Sequence, residues 1–363
     1  MNFKRRGTEE LPPSRFDKTS REVWLEDRYD LGEEPSPATQ FFWEDSKSIL
    51  TRNKSPDIPF DASINPYRGC EHGCIYCFAR PNHSYVDLSP GLDFETKIFV
   101  KKEPAKLLAE ELRKKKQAVL PITLGTATDP YQPGERIYKN TRSILEVLLE
   151  FRQPAAIITK SSLIQRDLDI LSEMGKLGIL KVFLSITTLD KELWAKLEPR
   201  APAPNKRMET LRKLTEVGVP TGVLFAPVIP FINDFEMENL LEQASISGAE
   251  AAGMVFIRLP FEVAPLFEDW LTRHFPLKKE KVLKVISEAR GGKLYEAKWG
   301  ERMKGAGHYA DLLQKRFSIC MKRFNLTTRR QLRTDLFSVP IRYLTKKKKS
   351  EHLQPDLFSD QDL

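Results

Sequence analysis

The sequence is poor in the features that mark secreted and membrane proteins. It has 4 cysteines in 363 residues, and three of them are bunched, so they do not make a disulfide framework. It has no apolar run long enough to cross a membrane. Its first residues, MNFKRRGTEELPP, include no apolar stretch that could serve as a signal peptide. We therefore expect a cytoplasmic protein whose thiols stay reduced and free to bind metal.

Net positive charge is concentrated near the end of the chain, and the remainder is net acidic. Residues 278–349 contain 21 Lys and Arg against 6 Asp and Glu, whereas the whole chain has a net charge of +8. This basic region favours a polyanionic partner, because contacts to phosphate release counterions, and it predicts nucleic-acid binding. The alternative is a solvated surface that ends in the lysine-rich linker at 346–349.

Short runs of apolar and β-branched residues alternate with amphipathic helical patterns. Several of the helical patterns close with Gly, a common C-cap. The alternation predicts a parallel sheet with right-handed crossovers. With one more strand before the first bunched cysteine, about six βα units result, too few for the eight of a full barrel. We predict an α/β fold with an open or partial barrel. The apolar runs are VLPITLGTA (119–127), AAIITK (155–160), KVFLSITT (181–188), VPTGVLFAPVI (219–229) and GMVFIRLP (253–260).

Composition divides the chain into four parts. Residues 1–55 are rich in Pro, Glu, Asp and Arg without sustained periodicity, and we expect a partly disordered N-terminal extension. The βα pattern occupies residues 56–290. A basic helical C-terminal region follows at 291–345, where YADLLQKRFSICMKRF predicts a helix. We expect residues 346–363 to form a flexible tail with a possible clamp-binding peptide.

The bunched cysteines lie in NPYRGCEHGCIYC, residues 65–77, directly after the first candidate strand. Parallel α/β folds place their chemistry at this end of their strands. Three thiolates, from Cys70, Cys74 and Cys77, could anchor three irons of a [4Fe–4S] cluster and leave the fourth iron open. A substrate or cofactor can bind an open iron.

Two other readings of the cysteines remain open. Structural zinc needs a fourth ligand, and His72 or His83 is near enough in sequence, but zinc pairs usually read C-x2-C and the first spacing here is C-x3-C. A redox pair formed by Cys74 and Cys77 leaves Cys70 unexplained.

The motif C-x3-C-x-aromatic-C after the first strand resembles the signature of radical S-adenosylmethionine (SAM) enzymes. The wording NPYRGCEHGCIYCFAR looks like the branch grouped with spore photoproduct lyase, the DNA repair photolyase-like proteins, and the resemblance runs from about residue 45 to 320. It implies a partial (β/α)6 TIM-like barrel and a [4Fe–4S] cluster held by Cys70, Cys74 and Cys77. It also implies reductive cleavage of SAM to a 5′-deoxyadenosyl radical and a reductase as electron donor. It leaves the catalytic residues unassigned.

The same resemblance implies SAM contacts in two places. Tyr76, the aromatic residue before the third cysteine, would pack near the adenine. The segment LGTATDPYQP corresponds to the part of the family fold that binds the SAM amino group. There Thr126, Thr128 and Asp129 offer oxygen acceptors for an ammonium. The Gly-Gly-Glu usual in the family is absent.

Further contacts follow from the next two strands. Lys160, at the end of IITK, and Ser185, in FLSITT, match a Lys and a Ser that contact the SAM carboxylate and ribose in the lyase. Arg200 and Arg258 are candidate clamps for a substrate or a carboxylate, with ordinary surface ion pairing as the alternative.

Two departures bear on the substrate. The lyase returns a hydrogen to its product through a cysteine and a tyrosine, and those places hold Thr126 and Phe78 here. Neither side chain easily donates hydrogen to a carbon radical, so the resemblance does not extend to spore photoproduct repair itself. The remaining thiol, Cys320, is expected to be a buried helix cysteine.

The chain ends in KKKKSEHLQPDLFSDQDL, which contains a short motif. Gln354, Leu357 and Phe358 look like the Q-x-x-L-F peptide by which bacterial repair proteins dock on the sliding clamp. The two apolar side chains would fill a pocket while the glutamine bonds to its rim.

These features favour a radical SAM enzyme that acts on nucleic acid, most plausibly damaged DNA. Radical SAM modification of RNA or protein is an alternative with the same chemistry. A zinc-containing nucleic-acid-binding protein without catalysis is the alternative from another class.

Overall fold

A computed structural model of the chain describes residues 6–8, 10–16, 38–58, 60–114, 118–327 and 331–344. The possible clamp-binding residues Gln354, Leu357 and Phe358 lie outside the described residues, as do residues 17–37 of the predicted extension.

The described strands form two sheets. Seven strands lie side by side in the order β10, β9, β8, β7, β6, β3, β2, and the other three lie in the order β1, β5, β4. The strands are β1 (Gln40–Glu44), β2 (Leu50–Arg52), β3 (Ala62–Ile64), β4 (Tyr67–Arg68), β5 (Lys97–Lys101), β6 (Ile122–Leu124), β7 (Ala155–Thr159), β8 (Leu180–Ser185), β9 (Thr221–Val228) and β10 (Ala251–Phe256).

Strands β3 and β6 to β10 of the larger sheet are parallel, and β2 joins its edge antiparallel to β3. Parallel strands covered on both faces read as nearly continuous apolar runs, which explains why the runs in the sequence marked them well. Leu124, Ile157, Val182, Leu184 and Val223 are fully buried in these strands. The predicted α/β partial barrel with six parallel strands is confirmed.

Helices connect the parallel strands and cover the sheet. Glycines with positive φ close three of them, because glycine takes the left-handed conformation without steric cost: Gly178, Gly218 and Gly248 have φ of 71°, 81° and 96°. The helices are α1 (Leu92–Thr96), α2 (Pro104–Arg113), α3 (Glu135–Tyr138), α4 (Asn140–Glu150), α5 (Leu168–Lys176), α6 (Lys191–Leu197), α7 (Pro204–Glu216), α8 (Met237–Ile246), α9 (Val263–His274), α10 (Lys279–Glu288), α11 (His308–Arg323) and α12 (Ile341–Leu344), with 3-10 helices at Arg80–Val86, Ser162–Asp167 and Asp234–Glu236. Among the described residues, none of these helices has the length and apolar content needed to span a bilayer.

Part of the predicted N-terminal extension pairs with the rest of the fold. Strand β1 pairs in parallel with β5, and β2 belongs to the larger sheet. Residues 6–8 and 10–16 run beside the cysteine segment, where the backbone N–H of Gly7 donates to Glu95 Oε2 at 2.9 Å. The division of the chain at residue 55 stays a prediction, but the described residues before it contribute strands to both sheets.

The predicted C-terminal helix is α11, which packs on the outside of α8. The Arg316 guanidinium donates to both carboxylate oxygens of Glu238, at 2.9 and 2.7 Å, and the Tyr309 hydroxyl donates to Asp234 at 2.7 Å. Cys320 is buried in this helix, as expected from its helical setting.

A clasp joins the two edges of the larger sheet, and we define it as the contacts between residues 55–57 and residues 300–302. Asp57 follows edge strand β2 and accepts hydrogen bonds from the backbone N–H of Gly300, at 2.6 Å, and from Arg302 Nε, at 2.5 Å. On the other edge, the N–H of Phe256 in β10 donates to the carbonyl of Met303 at 3.0 Å. The hydrogen bonds from Gly300 and Arg302 lower the pKa of Asp57. The seam between β2 and β10 is thus bridged by the C-terminal region.

We expect Arg302→Gln to loosen this seam, because glutamine cannot form the charged pair with Asp57. Amide hydrogen exchange should become faster in residues 53–58 and 298–304 and stay unchanged in β7 and β8. Arg212→Gln removes an exposed ion pair with Glu216 on α7 and serves as the control. Equal exchange in the two variants would show that the clasp does not hold the edges together.

Candidate active site

The cysteine loop, residues 69–77, lies at the carboxyl end of the parallel strands, immediately after β3 and β4. Cys70 and Cys74 are 8% and 7% exposed, and Cys77 is more open. Glycine is required within the loop, because a Cβ at Gly73, where φ is 65°, would lie 2.5 Å from Glu95 Oε2. The loop is therefore tightly packed on one side and partly open at its third cysteine.

A buried ion pair supports the loop from behind. Arg80 and Glu95 are both fully buried, and Arg80 NH2 lies 2.5 Å from Glu95 Oε1. Arg80 Nε donates to the carbonyl of Cys74 at 3.0 Å, and its NH1 donates to the carbonyls of Pro90 and Gly91. Sequence reasoning missed both residues, although Arg80 follows the third cysteine by only three positions.

The residues predicted to accept the SAM ammonium contact the cysteine loop or its surroundings. Thr128 Oγ1 donates to the carbonyl of Gly69 at 2.6 Å. Thr126 Oγ1 lies 3.2 Å from the Asn65 amide, just before the loop. Asp129 Oδ2 lies 3.3 Å from His72 Nδ1. These contacts hold the loop against the end of β6, so the same side chains that were predicted to bind SAM also position the cysteines.

Asp129 is ionised in this setting. Burial alone would raise its pKa, but His72 and the donors Lys160 N–H and Thr159 Oγ1 lower the pKa of Asp129 to about 2. Its carboxylate accepts from Thr159 Oγ1 at 2.7 Å and from the Lys160 backbone at 2.8 Å. Asp129 thus joins the end of β7 to the cysteine loop.

Three of the predicted SAM contacts lie together inside the barrel. Lys160 Nζ donates to Ser185 Oγ at 3.1 Å and lies 5.8 Å from the centre of the Tyr76 ring. Burial alone would lower the pKa of Lys160, but neighbouring Cys74 and Glu198 outweigh it and raise that pKa. The structure therefore places a partly buried ammonium near the second cysteine.

Glu198 and Arg207 complete this cluster, and sequence reasoning missed both. Glu198 forms an ion pair with Arg207, accepts a hydrogen bond from the Tyr76 hydroxyl, and lies 4.0 Å from Lys160 Nζ. Burial raises the pKa of Glu198, but Arg207 and Lys160 more than offset it and lower the pKa to about 2. Two cations and one carboxylate give the cluster a net positive charge.

The predicted arginine clamps have different surroundings. Arg200 NH2 lies 3.3 Å from Glu71 Oε1 within the cysteine loop, so it is part of an ion pair. Arg258 lies with its guanidinium carbon 5.1 Å from the centre of the Phe78 ring, directly beside the third cysteine. Phe78 is 48% exposed, so this pair faces the open side of the loop.

The histidines considered as zinc ligands are held elsewhere. His83 is fully buried, and its Nε2 lies 2.9 Å from the carbonyl of Lys97. Burial lowers the pKa of His83 to about 4. His72 faces Asp129. Over the part of the chain that the structure describes, no three His, Cys, Asp or Glu side chains are arranged around a single metal ion.

Comparison with known proteins places this site in a class. A family model described as "Radical SAM superfamily" matches residues 64–244, which include the three cysteines. A relative from Mycobacterium tuberculosis, described as an uncharacterized protein, is 36% identical over 235 residues, which are 63% of this chain and 68% of the relative. Another, from Methanocaldococcus jannaschii, is 31% identical over 53% of this chain and 68% of its own length.

Solved structures show the same fold. Spore photoproduct lyase complexed with dinucleoside spore photoproduct matches with a TM-score of 0.57 and 13% identity, over 79% of this chain and 81% of the lyase. The parallel strands, with the cysteine loop at their carboxyl ends, place the chain in the class of partial-barrel enzymes that use radical chemistry. The chain belongs to the radical SAM superfamily. Enzymes of this superfamily use a [4Fe–4S] cluster and SAM, and one spore photoproduct lyase structure contains bound AdoMet.

The charge on Glu198 gives a prediction about acid stability. Its folded-state pKa lies near 2, below the ordinary 4.5, so its stabilising contribution is complete above about pH 4.5 and is lost as the pH falls toward 2. We expect Glu198→Gln to lower the free energy of unfolding by about 3 kcal/mol at pH 7, because it leaves Arg207 and Lys160 without a counter-charge. The difference should shrink by roughly 1.4 kcal/mol per pH unit between pH 4.5 and 2.

Urea unfolding across this pH range measures the effect. Glu216→Gln, which removes the carboxylate of the exposed pair with Arg212, is the matched control and should change stability by less than about 1 kcal/mol. A constant difference between wild type and Glu198→Gln at every pH would mean that Glu198 is not ionised in the barrel.

Proposed function

We propose that this chain holds a [4Fe–4S] cluster through Cys70, Cys74 and Cys77, binds SAM beside it, and acts on DNA. The observation that carries the proposal is the position of the three cysteines. They lie in one tightly packed loop at the carboxyl ends of the parallel strands, near the partly buried Lys160 ammonium. RNA or protein as the substrate is the alternative with the same chemistry.

The donor set fits such a cluster. Three thiols from one loop can each bind a different iron and leave the fourth iron to another ligand. Burial raises the pKa of Cys74 to about 12 and moves the pKa of Cys70 well above its usual range. Both thiols are therefore protonated at neutral pH until a metal displaces the proton. When bound, the cluster supplies the electron that cleaves SAM to a 5′-deoxyadenosyl radical.

The chain's own residues provide a binding surface for SAM. The net positive cluster of Lys160, Arg207 and Glu198 suits the SAM carboxylate, and of its two cations Lys160 lowers the pKa of Cys74 more. Ser185 holds the Lys160 ammonium in place. Tyr76 lies against the same cations, and its hydroxyl is already bonded to Glu198 and Thr187, so it offers its ring rather than its hydroxyl to the adenine.

DNA is supported by two observations. A protein with the same fold, spore photoproduct lyase, is complexed with a dinucleoside photoproduct. The basic region that begins at residue 278 carries exposed lysines that are suited to phosphate contacts. Thr126 and Phe78 supply no readily donated hydrogen, so the proposed substrate is a DNA lesion or modification other than the spore photoproduct. The exposed lysines are Lys281, Lys284, Lys293, Lys304, Lys315 and Lys322.

Two partners complete the proposal. A reductase must supply the electron for each cleavage. The peptide with Gln354, Leu357 and Phe358 would bring the enzyme to the sliding clamp, and deletion of residues 353–358 would then abolish clamp binding.

Metal content and SAM cleavage test the proposal. After anaerobic purification, reconstitution and dithionite reduction, wild type should contain roughly four irons and four sulfides per chain and should form 5′-deoxyadenosine from SAM. Cys74→Ala should lose the product, because it removes one cluster ligand. Cys320→Ala, which removes the buried cysteine of α11, should keep both the iron and the product.

Zinc is the contrary result. A protein that holds one zinc, contains no iron and leaves SAM intact would support the binding protein without catalysis and refute the cluster. Product formation by Cys74→Ala would separate the chemistry from the cysteine loop.

A further inference from the structure

Five aromatic rings and two guanidinium groups form a continuous row at the carboxyl end of the barrel strands. The row begins in the N-terminal segment, passes the loop after β10 and ends at the cysteine loop. We call it the aromatic row; in spatial order its members are Phe16, Tyr85, Arg15, Phe261, Tyr295, Arg258 and Phe78.

Consecutive members of the row from Phe16 to Tyr295 are within stacking distance. The ring centres of Phe16 and Tyr85 are 5.4 Å apart, and the guanidinium carbon of Arg15 is 5.1 Å from Tyr85 and 4.4 Å from Phe261. The Phe261 and Tyr295 rings are 5.8 Å apart. These spacings are typical of aromatic pairs and of cations over rings.

At the other end, the row reaches the site. Arg258 lies near Tyr295, which acts on its charge, and its guanidinium carbon lies 5.1 Å from the centre of the Phe78 ring. Phe78 is the residue directly after Cys77. A ligand bound along the row would therefore lie next to the third cysteine.

The rings of this row are unusually open for such large apolar groups. Phe16, Tyr85, Phe261 and Phe78 are 50%, 66%, 57% and 48% exposed. Four half-exposed rings in one row at the mouth of the barrel indicate a binding surface, because clustered exposed apolar groups commonly mark interaction sites.

Charge on the row favours flat rings over phosphates. Arg15 NH1 donates to both oxygens of the Glu262 carboxylate, at 3.2 and 3.1 Å, so its charge is balanced within the row. The Arg15 guanidinium remains charged in this ion pair and can still stack through its flat face. The Glu262 carboxylate beside it repels phosphate. Phosphate contacts are left to exposed lysines of the C-terminal region. One of them, Lys293, is two residues before Tyr295 in the sequence.

We propose that the aromatic row binds unpaired DNA by stacking successive bases and leads one nucleotide to the cysteine loop. Every nucleobase has an apolar face that stacks on aromatic side chains and guanidinium groups. In a duplex those faces are covered by neighbouring base pairs, so the row selects a single strand or a strand that has been opened. This inference rests on the proposed action on DNA and identifies how the strand is held.

Fluorescence anisotropy with the full-length protein tests it. The probes are a labelled single-stranded DNA of about 12 nucleotides, an abasic strand of equal length and the corresponding duplex. The single strand should bind about tenfold more tightly than the abasic strand, because only the former can stack. The duplex should bind more weakly than the single strand.

The key variant is Tyr85→Leu combined with Phe261→Leu. It should weaken single-strand binding about tenfold and leave abasic binding and the salt dependence unchanged, because no charge is removed. Tyr85→Trp with Phe261→Trp should keep the wild-type affinity, since it retains the stacking surface. Phe235→Leu is the matched control, because Phe235 is 64% exposed outside the row.

The outcomes separate this inference from the proposed function. Equal binding of normal and abasic strands, with the leucine variant equal to Phe235→Leu, would overturn the stacking role while leaving DNA binding intact. If neither strand bound, the stacking role of the row and the proposed action on DNA would both be refuted. The proposed cleavage of SAM would be unaffected, because it is measured separately as 5′-deoxyadenosine. Tighter binding of an RNA strand of the same sequence would overturn the choice of DNA.

Discussion

The buried ion pair between Arg80 and Glu95 is the interaction on which the site depends. Two charges removed from water stabilise a structure only when their remaining hydrogen-bonding groups are also satisfied. Here Arg80 also binds the backbone at Cys74 and around Gly91, while Glu95 accepts from Gly7. One pair of charges therefore fixes the cysteine loop, helix α1 and the N-terminal segment relative to each other.

A second buried charge organises the inside of the barrel. Glu198, itself buried with Arg207, balances the charges of Lys160 and Arg207 and accepts a hydrogen bond that orients the Tyr76 hydroxyl. Because the cations outnumber the carboxylate, the barrel interior retains a positive charge next to Cys74. The loop and the barrel interior thus contribute different things to one site: the first supplies thiols and the second supplies charge.

Much of this arrangement could be predicted from the sequence, and the reason differs from one residue to another. The cysteines are close in sequence, and the parallel strands are apolar runs, so a short segment contains each signal. Lys160 and Ser185 end neighbouring strands, whose carboxyl ends must meet in a parallel sheet. Glu198 could not be found in this way, because its partners Tyr76 and Arg207 reach it only after the strands have paired.

The functions of Thr128 and Asp129 show a further limit. Their position after β6 was evident from the sequence, but their bonds to the Gly69 carbonyl and His72 depend on how the cysteine loop turns back. The sequence also does not show which charges of the basic C-terminal region are already engaged with the core. Arg290, Arg302 and Arg316 bind the core, so counting charges overstates the part of that region that is free for phosphate.

The two sides of the clasp come from distant parts of the chain. Asp57 and Arg302 are 245 positions apart, so they can meet only when most of the protein has left the ribosome. All seven strands of the larger sheet are complete by Phe256, whereas the residue that bridges the seam between β2 and β10 comes 46 positions later. The barrel strands and the bridge across their open side are therefore encoded in separate parts of the chain.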